Sequence, residues 1–242
     1  LYYSGTTCLF ILHGNVRDLV HGPAGESDGY LSLPEFLATQ VFGAWDLVLY
    51  HDLAHGLRPL AGKDPARLQA MVQSLGSRLG EPGSWPRDPE VLLPMLDRLI
   101  ERILLEDDPT RRKSVGILFD YAQYLVPATD LGALARGQGA NLVRFLSWAQ
   151  NPYIKRVNMA FCLVADKLSE VNDRLVQSPH VAAIAVPLPD RAEREQFCHR
   201  VGQAQDISRL TDFAPGELAD LSNGLSLVSL QVLLTQGKRS GR

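Results

Sequence analysis

A surplus of basic residues is the first thing this sequence lacks: 24 Lys+Arg face 27 Asp+Glu, for a net charge of −3. Proteins that grip nucleic acid usually carry a basic face, so that partner is set aside. An apolar run long enough to span a bilayer is missing too, as is an amino-terminal signal segment, so a cytoplasmic protein with no membrane partner is expected. Cysteine is scarce, and Cys8, Cys162 and Cys198 show no paired spacing. Cys8 and Cys162 lie in strand-like apolar runs, which reads as reduced core thiols rather than a disulfide framework. The chain also lacks a G-x-S-x-G elbow, internal repeats and low-complexity tracts. It has no initiating methionine and stops at GKRSGR, the look of a piece of something longer.

What is present is an alternation of buried strands and amphipathic helices. Five runs are apolar almost throughout and rich in strand formers: TCLFILH (7–13), WDLVLYH (45–51), SVGILF (114–119), MAFCLVA (159–165) and VAAIAVPLP (181–189). Strands apolar on both faces must be covered on both faces, which predicts a parallel, doubly wound α/β sheet. Helices are predicted between them: over 32–43 with Ser32 as cap, over 65–80 behind Asp64-Pro65, from Asp88-Pro89 to 104, over 141–150 and over 169–177. After residue 190 the strands stop and three helical segments follow. The boundaries predicted are 1–190 for the α/β core and 191–242 for a small helical subdomain.

Two carboxylates close strands at the edge where ligands bind in such sheets, Asp120 after GILF and Asp166 after CLVA. In a nucleotide hydrolase the first orients Mg²⁺ and the second touches the γ-phosphate or the attacking water. The residue after Asp120 is Tyr121, a phenol of ordinary pKa about 10 and a poor general base at neutral pH. The phosphate loop G-x-x-x-x-G-K-[ST] is absent. GPAGESD (22–28) resembles its start, but Glu26 and Ser27 stand where Gly-Lys and a hydroxyl belong, and GLRPLAGKD (56–64) has the wrong spacing. His51 and His55 fall on a strand end and its loop, a poor arrangement for a shared metal. His13 reads as a strand-edge residue and Arg111-Arg112-Lys113 as a solvated turn.

These residues resemble the AAA+ ATPase family. GILFDYAQYLVP is similar to its Walker B strand and following helix, with Tyr121 in place of the glutamate. MAFCLVADKLSEVNDRL is similar to the sensor 1 strand, with Asp166 where Asn or Thr is usual. IAVPLPDRAER resembles the junction from strand five to the lid, and SNGLSLVSLQVLL the lid itself. Where the family carries its arginine finger this chain reads QSPHV, with Gln177 and His180. FILHGNVRD, YLSLPEFL and a Walker-B-like strand without phosphate loop together look like the degenerate amino-terminal module of a two-module AAA ATPase.

The resemblance implies a P-loop-NTPase-like sheet in the order 5-1-4-3-2 with a helical lid. It also implies a module without ATP hydrolysis of its own, which serves a ring oligomer through a downstream active AAA+ module or other AAA+ subunits. Two alternatives stay open. One is a domain that still binds Mg-ATP or ADP through Asp120 (also the Mg²⁺ ligand), Asp166, Gly14 and Asn15, with Arg17 as the basic residue of an unusual loop over 14–29. The other is an adaptor- or substrate-binding module that uses the loops 52–64 and 127–140.

Overall fold

The computed structural model describes all residues except 1, 3–4, 23–28, 81–82, 84, 131, 205–212 and 241–242. By its contacts the chain divides into two units. One comprises Leu1–Val16 with Pro34–Ala185, the other Arg17–Leu33 with Val186–Arg242.

The larger unit is built on a six-stranded sheet. Its strands are β1 (Leu9–Gly14), β4 (Leu47–Asp52), β5 (Gly56–Pro59), β6 (Val115–Phe119), β7 (Met159–Ala165) and β8 (Val181–Val186). Their order is β5-β4-β6-β7-β1-β8. The five predicted strands therefore stand in the expected order 5-1-4-3-2, and β5 is added at the edge as an antiparallel partner of β4. That strand falls in the predicted 52–64 loop: Gly56 at φ +76 turns the chain, and Leu57, though too short a signal on its own, folds back opposite His51. β4, β6, β7 and β1 are parallel, with Leu49 beside Ile117, Ile117 beside Phe161 and Phe161 beside Leu9. All of β4, β6 and β7 is buried, as runs without a polar face require.

Helices of this unit start where acids cap them. Asp64 accepts the Arg67 amide at 3.0 Å to open α2 (Pro65–Leu79), and Asp88 accepts the Glu90 amide at 2.9 Å to open α3 (Pro89–Leu104). Leu92, Leu96, Leu99 and Ile103 form the buried stripe of α3, and Leu93 and Ile100 widen it. α4 (Ala122–Leu125) is a single turn. α5 (Arg136–Gln150) begins five residues before its predicted start, inside the predicted loop 127–140. Gln138 accepts the Ala135 amide to cap it, and Gly137 gives Glu90 room that a Cβ would fill. The helix expected over 169–177 is one turn, α6 (Asp173–Val176), capped by Asn172. The helix expected from Ser32 is short as well: α1 (Leu33–Phe36) passes into a π-turn at Leu37–Val41, closed by the Phe42 amide on the Leu37 carbonyl at 2.8 Å. Thr39 returns its hydroxyl to the Glu35 carbonyl at 2.8 Å, competing with regular helix bonds.

An aromatic cluster fills the core. The Trp148 and Phe161 rings stack at 4.8 Å, and Phe145 meets Phe119 edge-on at 5.1 Å. Gly116 stands buried in β6 because Phe42 lies against it; a Cβ there would be 3.2 Å from the ring. Cys8 and Cys162 are free and buried, and burial pushes their thiols up to about 11 and about 12.

The second unit joins a hairpin, β2 (Leu19–His21) with β3 (Tyr30–Ser32), to α7 (Arg191–Ala204), α8 (Pro215–Leu221) and α9 (Leu227–Ser240). Ser32, expected as a helix cap, ends β3. Phe197, Cys198, Leu227, Leu230 and Leu234 form its core, with Leu19 and Tyr30 of the hairpin packed against it. Asp190 and Glu193 cap α7 reciprocally, each accepting the other's amide at 2.8 Å. Buried Arg194 donates to the Pro189 carbonyl at 2.6 Å and the Ala219 carbonyl at 3.2 Å, tying the strand exit to α8.

Candidate functional site

The residues singled out for nucleotide chemistry lie at the carboxyl ends of β1, β6 and β7. Gly14 closes β1 in a left-handed conformation, φ +95, that suits glycine. Its amide donates to the Asp166 carbonyl at 3.1 Å, and its carbonyl accepts the Val16 amide at 2.8 Å. β1 and β7 thus stay zipped to their ends, and the first amide of a phosphate cradle is already spent on the sheet. After Asn15 the chain enters the short strand β2, then β3, rather than a helix. A phosphate loop works by feeding a strand into a helix whose free amides face the anion. Among the described residues between β1 and α1 there is no such helix; Glu26 and Ser27 of the GPAGESD stretch lie outside the described residues.

Asp120 is 3% exposed and turned into the protein. Tyr50 Oη, from β4, donates to its Oδ2 at 2.6 Å, and the Tyr121 amide donates to its Oδ1 at 2.8 Å. The Asp120 amide itself donates to the His51 carbonyl at 2.8 Å. Burial raises the Tyr50 pKa most, the bond to Asp120 and the charges of Asp120 and Asp52 raise it further, and Arg58, 4.8 Å over the ring, only partly offsets them. The phenol therefore stays a donor at any ordinary pH. Tyr50 escapes a motif reading because its partner stands 70 residues away. The one signal is a tyrosine that follows three aliphatic residues in β4.

Tyr121 occupies the left-handed region, φ 54 and ψ 43, where a non-glycine residue costs roughly 1–2 kcal/mol. Its ring is 41% exposed and packs beside Tyr124. Asp166 is half-buried; Gln123 Nε2 reaches its Oδ2 at 3.5 Å, a long contact. The Gln123 Oε1 is buried without a hydrogen-bond partner.

At the end of β4, Asp52 accepts the Ala54 and His55 amides at 2.9 and 2.8 Å and the His55 ring at 2.9 Å. Burial pulls its pKa upward, but these bonds hold the carboxyl below the usual range. His55 is exposed on this turn, whereas His51 is buried against Phe119 and burial lowers its pKa. The two imidazoles face different environments. Among the described residues no group of three or more His, Cys, Asp or Glu could hold a metal ion. No helix among them is long and apolar enough to cross a membrane.

Mg-ATP is the group such a site implies, and the residues present do not fit it. Both Asp120 oxygens already accept hydrogen bonds, one of them from buried Tyr50, the Gly14 amide is engaged by the sheet, and β1 leads into a strand.

The family model for the AAA+ chaperone N-terminal Rossmann-like domain matches residues 1–187. No curated protein sequence matches the chain. The fold is a common one, with 526 matching chains among solved structures. One belongs to the E. coli MS115-1 HORMA:CdnC:Trip13 complex, with a TM-score of 0.51 at 12% identity over 96% of this chain and 74% of that one. At that identity the likeness speaks for the fold alone.

Proposed function

The chain belongs to the family of AAA+ chaperone N-terminal Rossmann-like domains, and on that premise we propose a degenerate AAA+ module, without ATP hydrolysis of its own, that serves the assembly and regulation of a larger AAA+ ATPase. The observation that carries the reading is the path of the chain beyond β1. Where a nucleotide site needs a glycine loop and a helix, this chain has Gly14 bonded to Asp166 and then the strand β2. The scaffold strands are complete while the phosphate-binding part has another structure.

Several details support the same reading. Tyr50 and the Tyr121 amide satisfy Asp120 from inside the protein, so a hydrated Mg²⁺ would have to displace a short, buried hydrogen bond. Tyr121 cannot polarise a water as a carboxylate does. The partners we propose are an active AAA+ module downstream in the same protein or other AAA+ subunits, arranged as a ring. A fold neighbour was found in a complex with HORMA and CdnC.

Phosphate release from the purified chain at saturating Mg-ATP tests the absence of hydrolysis. The expected rate equals that of buffer alone. Turnover above background that disappears in Asp120→Ala would overturn the proposal.

A further inference from the structure

We propose that the groove between α3 and α5 is a docking site for an amphipathic helix of a partner protein, one with a lysine or arginine near its centre. The two helices run side by side in the same direction: Glu90 lies against Gly137, and seven residues on Asp97 accepts Arg144 Nε and Trp148 Nε1, each at 2.7 Å. Above these contacts a groove of about 670 Å³ opens, with Ile100, Glu101 and Leu104 on one wall and Ala140, Val143 and Ser147 on the other. It runs on through Val143, Ser147 and Asn151 into a hollow of about 520 Å³ that ends at Tyr153. Val143 is 67% exposed and Tyr153 65%, so apolar side chains line the opening with their outer sides uncovered.

The shape and chemistry of the groove select its occupant. Ala140, Val143 and Ser147 repeat at helical spacing, a ridge that meshes with the groove of another helix. The walls are helix surfaces with no open strand edge, so a ligand must satisfy its own amides, as a helix does. From Gly139 to Gln150 the helical wall spans about three turns, roughly 17 Å at 1.5 Å per residue, and the turn at 151–153 carries the lining on to Tyr153. Charge sets the remaining requirement. Arg144 is taken by Asp97, while Glu101 is exposed and has no ion pair among the described residues. Both helices also present their carboxyl ends toward Leu104 and Asn151, where the backbone carries partial negative charge. A basic side chain at the centre of the ligand helix pairs with Glu101.

Selection of a phage-displayed library of 18-residue amphipathic helices against the immobilised chain tests this. The expected winners share an apolar i, i+3/i+4, i+7 stripe interrupted by one central Lys or Arg. As synthetic peptides in fluorescence anisotropy, they bind at least tenfold more weakly to Val143→Asp and to Glu101→Lys. A peptide with its central Lys changed to Glu regains affinity for Glu101→Lys. Val143 and Glu101 are exposed, and unchanged circular dichroism and melting temperature confirm that the variants are folded. No enrichment, winners without a central base, or affinities indifferent to both substitutions would each overturn the proposal. So would self-association that Val143→Asp abolishes while no peptide is selected, which would make the occupant a second copy of this chain.

Discussion

Tyr50 and Asp120 share a 2.6 Å hydrogen bond across two neighbouring strands, and both residues are buried. The contact joins the end of β6 to β4 and turns toward the interior the carboxylate that the AAA+ resemblance assigns to Mg²⁺. Hydrogen bonds to a charged acceptor contribute about 1.5–3 kcal/mol. Tyr50→Phe, which keeps the ring and removes the donor, is expected to destabilise the chain by that amount at pH 7, measured from urea unfolding midpoints.

The same pair predicts a pH dependence. The folded-state pKa of Tyr50 is raised, so the stability linked to its proton is fully present below the ordinary phenol pKa of about 10. It is lost as pH rises through the higher folded value. From about pH 10 upward the wild-type chain should therefore lose stability more steeply than Tyr50→Phe, so that the two curves approach each other. Parallel curves over that range would show that the phenol is not coupled to folding.

Asp18 makes an equally specific contact in the second unit. Its carboxylate accepts the Leu227 amide at 2.9 Å and the Val228 amide at 2.8 Å, capping α9 from a residue 209 positions earlier in the chain. Helix caps are worth about 0.5–2 kcal/mol, and a buried one lies at the upper end. Asp18→Ala is expected to cost about 2 kcal/mol. Amide exchange should accelerate first at Leu227 and Val228, while the amides of β6 and β7 keep their protection.

Restoring one missing catalytic residue should not restore catalysis. Tyr121→Glu places a carboxylate where the family has its glutamate, yet the phosphate-binding part remains absent. Phosphate release is expected to stay at background. The left-handed backbone at this position suits glutamate no better than tyrosine, so stability should change by less than about 1 kcal/mol.

The parts of this fold that were legible in sequence are those governed by local rules. Apolar runs bounded by turn residues marked the five predicted strands, and Asp64-Pro65 and Asp88-Pro89 marked two helix starts to the residue. The strand Gly56–Pro59 was not legible, because four residues with one buried leucine carry no period and their pairing is set by the neighbouring strand. The start of α5 was hidden by glycines that usually break helices; here Gly137 is needed for the close approach of Glu90. At the candidate site Asp120, Asp166 and Tyr121 could be named from their strand ends. What Asp120 contacts could not, since Tyr50 and Asp18 alike act on partners far away in the chain.

The proposed reading implies that the carboxyl edge of this sheet no longer holds a nucleotide. Isothermal titration of the purified chain with Mg-ATP, and with a non-hydrolysable analogue, tests it most directly. No saturable heat at millimolar nucleotide is the predicted result. Saturable binding in the micromolar range, about −8 kcal/mol, weakened by Asp120→Ala, would contradict the account.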